Sequence, residues 1–167
     1  YIMWYAILGA VLLAGDQILK YWVVTHLAVG ESAPFLPGFM QLTRLHNYGA
    51  AWSSLSGRTV LLVVFTAVLL AAVALLLIKK VVRHWTGITA CTLILSGGIG
   101  NIIDRIVHGY VVDMFDLQLF SYPVFNLADC CVVVGAILGG IYYLFLYEKY
   151  DKKKKEPDHA HDPSDPS

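Results

Sequence analysis

The chain has 167 residues, 57% of them hydrophobic and only 14% charged, with a formal net charge of zero and a mean hydropathy of +0.64. A soluble domain is about a quarter charged, so this composition excludes an ordinary soluble fold and points to a small membrane protein. Eight of the twelve Lys and Arg fall in two clusters, Lys79, Lys80 and Arg83 and then Lys149 with Lys152 to Lys155, which leaves no basic face for nucleic acid.

A hydrocarbon core of about 30 Å needs roughly 20 apolar residues in a helix, and four stretches qualify, at about 2–24, 59–78, 88–107 and 127–147. The first has no basic residues ahead of it, exceeds a signal-peptide core in length and runs through Asp16 and Lys20. It is therefore expected to stay as a membrane helix. Between the first and second spans, Gly30, Pro34, Pro37 and Gly38 alternate with apolar residues, as in a small strand-and-turn structure. The second span holds nothing more polar than threonine and is expected to face lipid or pack. The basic loop after it and the lysine-rich tail belong on the cytoplasmic side by the positive-inside bias. Both termini are then inside, and residues 25–58 and 108–126 are outside, too short for a separate domain.

In the third span, Gly97, Gly98 and Gly100 lack the preceding strand and following Lys-Ser/Thr of a phosphate loop; close helix packing is the expected role. Cys91, Cys130 and Cys131 sit in apolar runs and are expected reduced and structural. Residues 1–150 read as one four-helix membrane domain. Residues 151–167 read as a disordered cytoplasmic tail in which His159 and His161 are solvated rather than metal-binding.

Charged groups inside spans are costly and call for a reason. Counted at about 1.5 Å per residue, Asp16 and Lys20, then Asn101, Asp104 and Arg105, then Asn126 and Asp129 lie at one depth in the outer half. Asp16 and Lys20 are four apart, and Asn101, Asp104, Arg105 and His108 share a helical face, so each set can point into one cavity. Buried ion pairs that hold the bundle together would explain Asp16, Lys20 and Arg105 equally well. The acids Asp104, Asp113, Asp116 and Asp129 outnumber the cations at that level, and surplus carboxylates near one site do not all ionise.

Serine hydrolysis lacks Gly-x-Ser-x-Gly, and Ser53, Ser54 and Ser56 have no partner at a motif spacing. Zinc proteolysis lacks His-Glu-x-x-His: His26, His46 and His108 are dispersed, and Glu31 is the one outer glutamate. No metal and no cofactor is expected. A pair of aspartates sharing one proton can hydrolyse a peptide bond unaided, one drawing a proton from water and the other polarising the carbonyl. A transporter or proton-conducting protein is the alternative from another class, but it would carry polar residues at several depths. An assembly subunit would not need site residues spread over three helices and two loops.

Five blocks then stand in order: Asp16-Gln17-x-x-Lys20; His46-Asn47-Tyr48-Gly49-Ala50-Ala51-Trp52-Ser53; Gly97-Gly98-Ile99-Gly100-Asn101-Ile102-Ile103-Asp104-Arg105; Val111-Val112-Asp113-Met114-Phe115; and Phe125-Asn126-Leu127-Ala128-Asp129. Together they resemble the lipoprotein signal peptidases, or type II signal peptidases, over nearly the whole chain. Trp52 stands where that family commonly has Phe, and Met114 is inserted where Val-Asp-Phe is usual. The resemblance implies an aspartyl protease of the bacterial cytoplasmic membrane, globomycin-sensitive and monomeric. Such an enzyme cleaves prolipoproteins just before the diacylglyceryl-modified cysteine and has membrane lipid as its surroundings.

The same resemblance implies a catalytic pair at Asp113 and Asp129. It puts Asn47, Asn101, Arg105 and Asn126 along the substrate or inhibitor site, and makes Asp16 and Lys20 a supporting polar pair. It also implies a small β cradle with a mobile helix over about residues 30–58. Asp104 is the other candidate partner for Asp129. Next to Arg105 and one turn before His108, it is expected to be held ionised by a cation in an orienting role, whereas Asp113 is expected at the membrane surface, within reach of water and peptide.

Overall fold

The computed structural model describes residues 2–49 and 57–152. Four helices dominate it: α1 (Ile2–His26), α2 (Thr59–Ile78), α3 (Trp85–His108) and α4 (Leu127–Ile141). A π-helical turn, Tyr142–Leu146, and a short α5, Tyr147–Tyr150, extend α4. The four runs Met3–His26, Thr59–Ile78, Trp85–His108 and Leu127–Tyr150 are each long and apolar enough to cross a membrane. They match the expected spans to within about a turn.

α3 is the central helix, packing against α1, α2 and α4. Its start is capped by His84, whose Nδ1 accepts the Thr86 N–H at 3.4 Å, and its end by Gly109 at φ 80°, whose N–H donates to the Arg105 carbonyl. That left-handed turn suits glycine and reverses the chain toward the bundle. The outer helices leave large apolar side chains uncovered, among them Val60, Phe65 and Val68 on α2 and Val133 and Ile137 on α4. Helices apolar on nearly all sides are stable only against lipid or protein.

Within the bundle, packing depends on missing side chains. A Cβ on Gly97 would lie 2.3 Å from the Ala128 carbonyl, one on Gly98 2.6 Å from Leu70 Cδ2, and one on Gly135 2.9 Å from the Ala90 carbonyl. The Gly97-Gly98-Gly100 run thus serves the close approach expected of it, with no strand before it. All three cysteines are free, Cys91 and Cys131 buried and Cys130 half-buried.

A three-stranded antiparallel sheet sits at the end of the bundle where α1 and α3 finish, in the order β1 (Ser32–Leu36), β2 (Met40–Asn47), β3 (Val111–Leu117). The β1–β2 hairpin turns at Pro37-Gly38, with Gly38 at φ 75° and the Phe39 N–H on the Leu36 carbonyl at 3.0 Å, the arrangement in which Pro at the second and Gly at the third turn position are favoured. The expected cradle is therefore present, but it is not confined to the segment after α1. The segment 108–126, expected to be loop, supplies the third strand, because Val111 to Met114 are buried and Val111, Val112 and Asp113 pair with Asn47, His46 and Leu45 of β2. Between Leu42 and Leu45 the register shifts, a bulge that bends β2.

Val23 and Leu27 of α1 pack with Val112 and Met114 of β3 under the sheet. Arg44 of β2 donates from Nη1 to the Val24 and Leu27 carbonyls at 3.1 and 2.9 Å, taking up acceptors that the end of α1 leaves open.

At the opposite end, Asp151 belongs to the fold and not to the tail. It is buried, accepts the backbone N–H of Arg83 and His84 at 3.0 Å each, and receives the Tyr142 hydroxyl at 2.6 Å. Trp52, Ser53, Ser54 and Ser56, the part of the cradle segment expected to carry a mobile helix, and the tail with His159 and His161 lie outside the described residues.

Gly97→Val should lower the melting temperature in detergent by an amount equivalent to about 1–3 kcal/mol of overpacking. Gly140→Ala, where a Cβ meets nothing within 4 Å, should leave it unchanged. Equal melting of the two variants would remove the close α3–α4 approach as a constraint.

Candidate active site

The polar residues of α1, α3 and α4 meet at the sheet end, as their common depth predicts. Lys20, one turn after Asp16, projects its ammonium between two acids, 2.8 Å from Asp16 Oδ2 and 3.0 Å from Asp104 Oδ2, and donates to Asn101 Oδ1 at 3.1 Å. All four side chains are buried. The remaining lone pairs are also used. Asp16 Oδ1 accepts the Ala128 N–H at 2.9 Å, Asp104 Oδ2 accepts the Val112 N–H at 3.0 Å, and Gln17 Nε2 donates to Asp104 Oδ1 at 3.1 Å. One cation thereby joins α1, α3, the first turn of α4 and β3. The expected Asp16–Lys20 pair is present. Asp104, however, is held by Lys20 and not by Arg105 or His108, because its side chain faces α1 while Arg105 turns to the Gly49 carbonyl at 2.9 Å and His108 stacks near Tyr110. Only Asn101 and Asp104 of that helical face are buried.

Asp113 and Asp129 are held differently. Asp113 Oδ1 accepts Asn126 Nδ2 at 2.7 Å, and Oδ2 accepts Asn47 Nδ2 at 3.1 Å. Asp129 Oδ1 accepts Asn101 Nδ2 at 2.8 Å, and Oδ2 accepts the Asn126 N–H at 3.2 Å. Asn126 touches both acids. Its side chain also caps α4 by accepting the Asp129 N–H at 2.8 Å, so Asn126 and Asp129 form a reciprocal capping box. Among the described residues no Lys or Arg pairs with either acid; every bond to them comes from a neutral amide. Burial first, and then the charge of Asp129, push the Asp113 carboxyl up to about 7 against the pull of the Asn47 and Asn126 amides and Lys20.

Asp113 is more enclosed than expected, 1% exposed between the two asparagines, while Asp129 is half-buried and forms the accessible edge. Asp116, counted among the surplus acids, is not part of the cluster. Three residues along a strand reverses the side-chain direction, and its Oδ2 accepts Gln41 Nε2 at 2.7 Å and Thr43 Oγ1 at 3.0 Å on the sheet. Among the described residues no three His, Cys, Asp or Glu are grouped to hold a metal ion.

The Signal peptidase (SPase) II family model matches residues 8–145. The chain belongs to the signal peptidase II family. It is thus a peptidase and a multi-pass membrane protein. It is 41% identical to the lipoprotein signal peptidase of Enterococcus faecalis, over 90% of this chain and 93% of that protein. With that of Lactococcus lactis subsp. lactis it shares 38% over 86% and 91%. A bacterial membrane enzyme solved by the in meso method at 2.3 Å resolution superposes with a TM-score of 0.82 at 32% identity, covering 94% of this chain and 96% of that one.

Gln17 stands in the first motif block without a role assigned to it there, and Arg44 is not singled out in the sequence. Gln17, an amide within a span beside Asp16, carried a signal of the same kind as Asn101. Arg44 carried none, since its partners are backbone carbonyls.

Lys20→Met keeps the side-chain length but leaves Asp16 and Asp104 buried without a cation. It should destabilise the fold by about 3–5 kcal/mol, read as a fall in the detergent melting temperature. A variant that melts with the wild type would show that the ammonium does not hold these helices together.

Proposed function

We propose that this chain removes signal peptides from prolipoproteins, cleaving before a diacylglyceryl-modified cysteine by aspartyl chemistry at Asp113 and Asp129. The observation that carries the reading is that these two acids, both bonded to Asn126, form no ion pair with a Lys or Arg among the described residues, whereas Asp16 and Asp104 share Lys20. Two carboxylates so placed keep one proton between them. Asp113, the more enclosed, holds that proton and donates it toward the scissile carbonyl oxygen. Asp129, at the accessible edge, takes a proton from the attacking water, and the new C–O bond forms as the carbonyl π bond opens. Collapse of the gem-diol intermediate re-forms the C=O bond as the hydroxyl that received the Asp113 proton returns it to Asp113, while the C–N bond breaks and the departing amine takes the proton from Asp129.

In this reading Asn47, Asn101 and Asn126 orient the acids and Arg105 holds the Gly49 end of the segment bordering the peptide. Asp16, Lys20 and Asp104 fix the helices. The unit is residues 1–150 with Asp151, acting as a monomer in the bacterial cytoplasmic membrane, with the residues after it as its cytoplasmic tail, both termini inside, the acids near the outer face, and inhibition by globomycin. The basic residues Lys79, Lys80 and Arg83, at the end opposite the sheet, support that orientation.

Asp113→Asn and Asp129→Asn should each lower single-turnover cleavage of a diacylglyceryl-modified prolipoprotein by about 10²–10⁴-fold with the protein still folded. Asp104→Asn should mainly lower the melting temperature and retain turnover. Equal loss in Asp104→Asn and Asp129→Asn, with binding kept, would transfer the partnership to Asp104. A raised carboxyl loses its proton as pH climbs through its shifted value, so cleavage should decline above about pH 7. A rate that climbs steadily to pH 9 would contradict a shared proton. A chelator should leave the rate unchanged, and loss that zinc restores would overturn the mechanism.

A further inference from the structure

Away from the acids, an apolar groove of 730 Å³ runs along the other half of the bundle. α3 forms its floor from Ile88 to Ile99, α1 lines one wall from Tyr5 to Leu13, and the end of α2 lines the other. The floor is about 16 Å long at 1.5 Å per residue, close to the depth of one leaflet of a hydrocarbon core of about 30 Å. The groove is closed toward the acids. There α1 and α3 touch so tightly that a Cβ on Gly100 would lie 2.8 Å from Asp16 Oδ2, and Gln17 Nε2 reaches the Gly100 carbonyl at 3.3 Å. Its other end carries Lys80 and Arg83.

Lys80 is the one non-glycine residue with positive φ, 52°, among the described residues. It follows α2 at the position where its N–H bonds the Leu77 carbonyl at 3.0 Å and the Val81 N–H bonds the Leu76 carbonyl at 2.9 Å, a helix ending that glycine normally fills. A lysine is strained there and a glycine is not, so the backbone does not explain the side chain. Lys79 already supplies a cation to the helix end. Arg83 gives Nε and Nη2 to Asp151 at 3.2 and 3.4 Å, and no described group takes Nη1.

We infer that this groove binds one anionic glycerophospholipid, an acyl chain lying along α3 and the phosphate between Lys80 and Arg83. The polarity fits a lipid of the leaflet at that end: charge at the membrane surface and a blind apolar end toward the middle. The signal peptide of a substrate fits poorly, since its basic leading segment would meet two cations and its path to the acids is closed. A second copy, related by a two-fold axis, would bring the same cations face to face.

The test is native mass spectrometry of the purified full chain in neutral detergent, titrated with phosphatidylglycerol or phosphatidylcholine. One phosphatidylglycerol should be retained, at least tenfold more tightly than phosphatidylcholine, if both charges act at about fivefold each. Lys80→Gly should weaken phosphatidylglycerol about fivefold while its melting temperature without lipid holds or rises, as relief of the strained φ requires. Lys80→Asn, which tolerates the same backbone, should weaken it similarly should the glycine variant fold poorly. Ala10→Phe, at an exposed position within the groove, should abolish retention. Equal binding of the two lipids, no retained lipid, unchanged binding in the Lys80 variants, or unchanged binding in Ala10→Phe would each overturn the assignment, the last by showing adsorption of a head group without an acyl site.

Discussion

The architecture depends on one ammonium shared by two buried carboxylates. Lys20 lies within 3.0 Å of both Asp16 and Asp104, and those acids in turn hold the Ala128 and Val112 amides. Removing water from three charges is costly, and such a cluster persists only when geometry and the remaining hydrogen bonds offset the loss. Here every polar atom has a partner: among the described residues no buried side-chain nitrogen or oxygen lacks one. The benefit is positional. α4 begins, and β3 returns from α3, at heights set by a cluster that belongs to neither. Asp113 is the residue after the one that Asp104 holds, and Asp129 the residue after the one that Asp16 holds, so the two supporting acids place the two proposed catalytic acids.

The amides complete this arrangement without neutralising it. Asn47, Asn101 and Asn126 donate to Asp113 and Asp129 but bring no charge, which leaves burial to dominate and raises Asp113 to about 7. A lysine or arginine in any of those positions would stabilise the ionised form and lower the proton affinity needed near neutrality. Neutral donors fix orientation and leave the proton in place. The sign of the linkage follows. A carboxyl with a raised value favours the folded state while protonated, and that contribution is lost as pH rises from its ordinary range through about 7. The proposed site is therefore destabilising under working conditions, and the Lys20 cluster supplies the rigidity that tolerates it.

The four spans and the Asp16–Lys20 pair were legible because membrane length and helical spacing are local properties of the chain. So was the gathering of Asn101, Asn126 and Asp129 at one depth, since height along a helix follows from counting residues. Direction across the bundle did not follow. Asp104 lies beside Arg105 in the chain, yet its side chain turns to α1, a choice made by helix rotation and by the close contact at Gly100. β3 was missed because Val111 to Met114 are buried on both faces, so the alternation that marks a half-covered strand is absent. That error carried Asp116 into the cluster, since only strand geometry turns it away from Asp113. Asp151 falls within the segment read as tail, while two of its partners, Arg83 and His84, lie 68 and 67 residues away and the third, Tyr142, is brought to it by the turns that end α4.

α3 carries two environments that could not share one surface without a division between them. On the sheet side of Gly100 its inward residues, Asn101 and Asp104, are polar and fully bonded. On the other side, Ile88, Leu95 and Ile99 line an apolar groove. Continuity between the two would admit lipid chains to the acids, or water to the apolar half. The bare Gly100 backbone lets Asp16 and Gln17 of α1 press against α3 at the boundary. A side chain at that position would have to displace Asp16 from Lys20 or part the two helices. The short contact that seals the groove is thus the same one that sets Asp16 under the first turn of α4, and through Ala128 the height at which Asp129 enters the site.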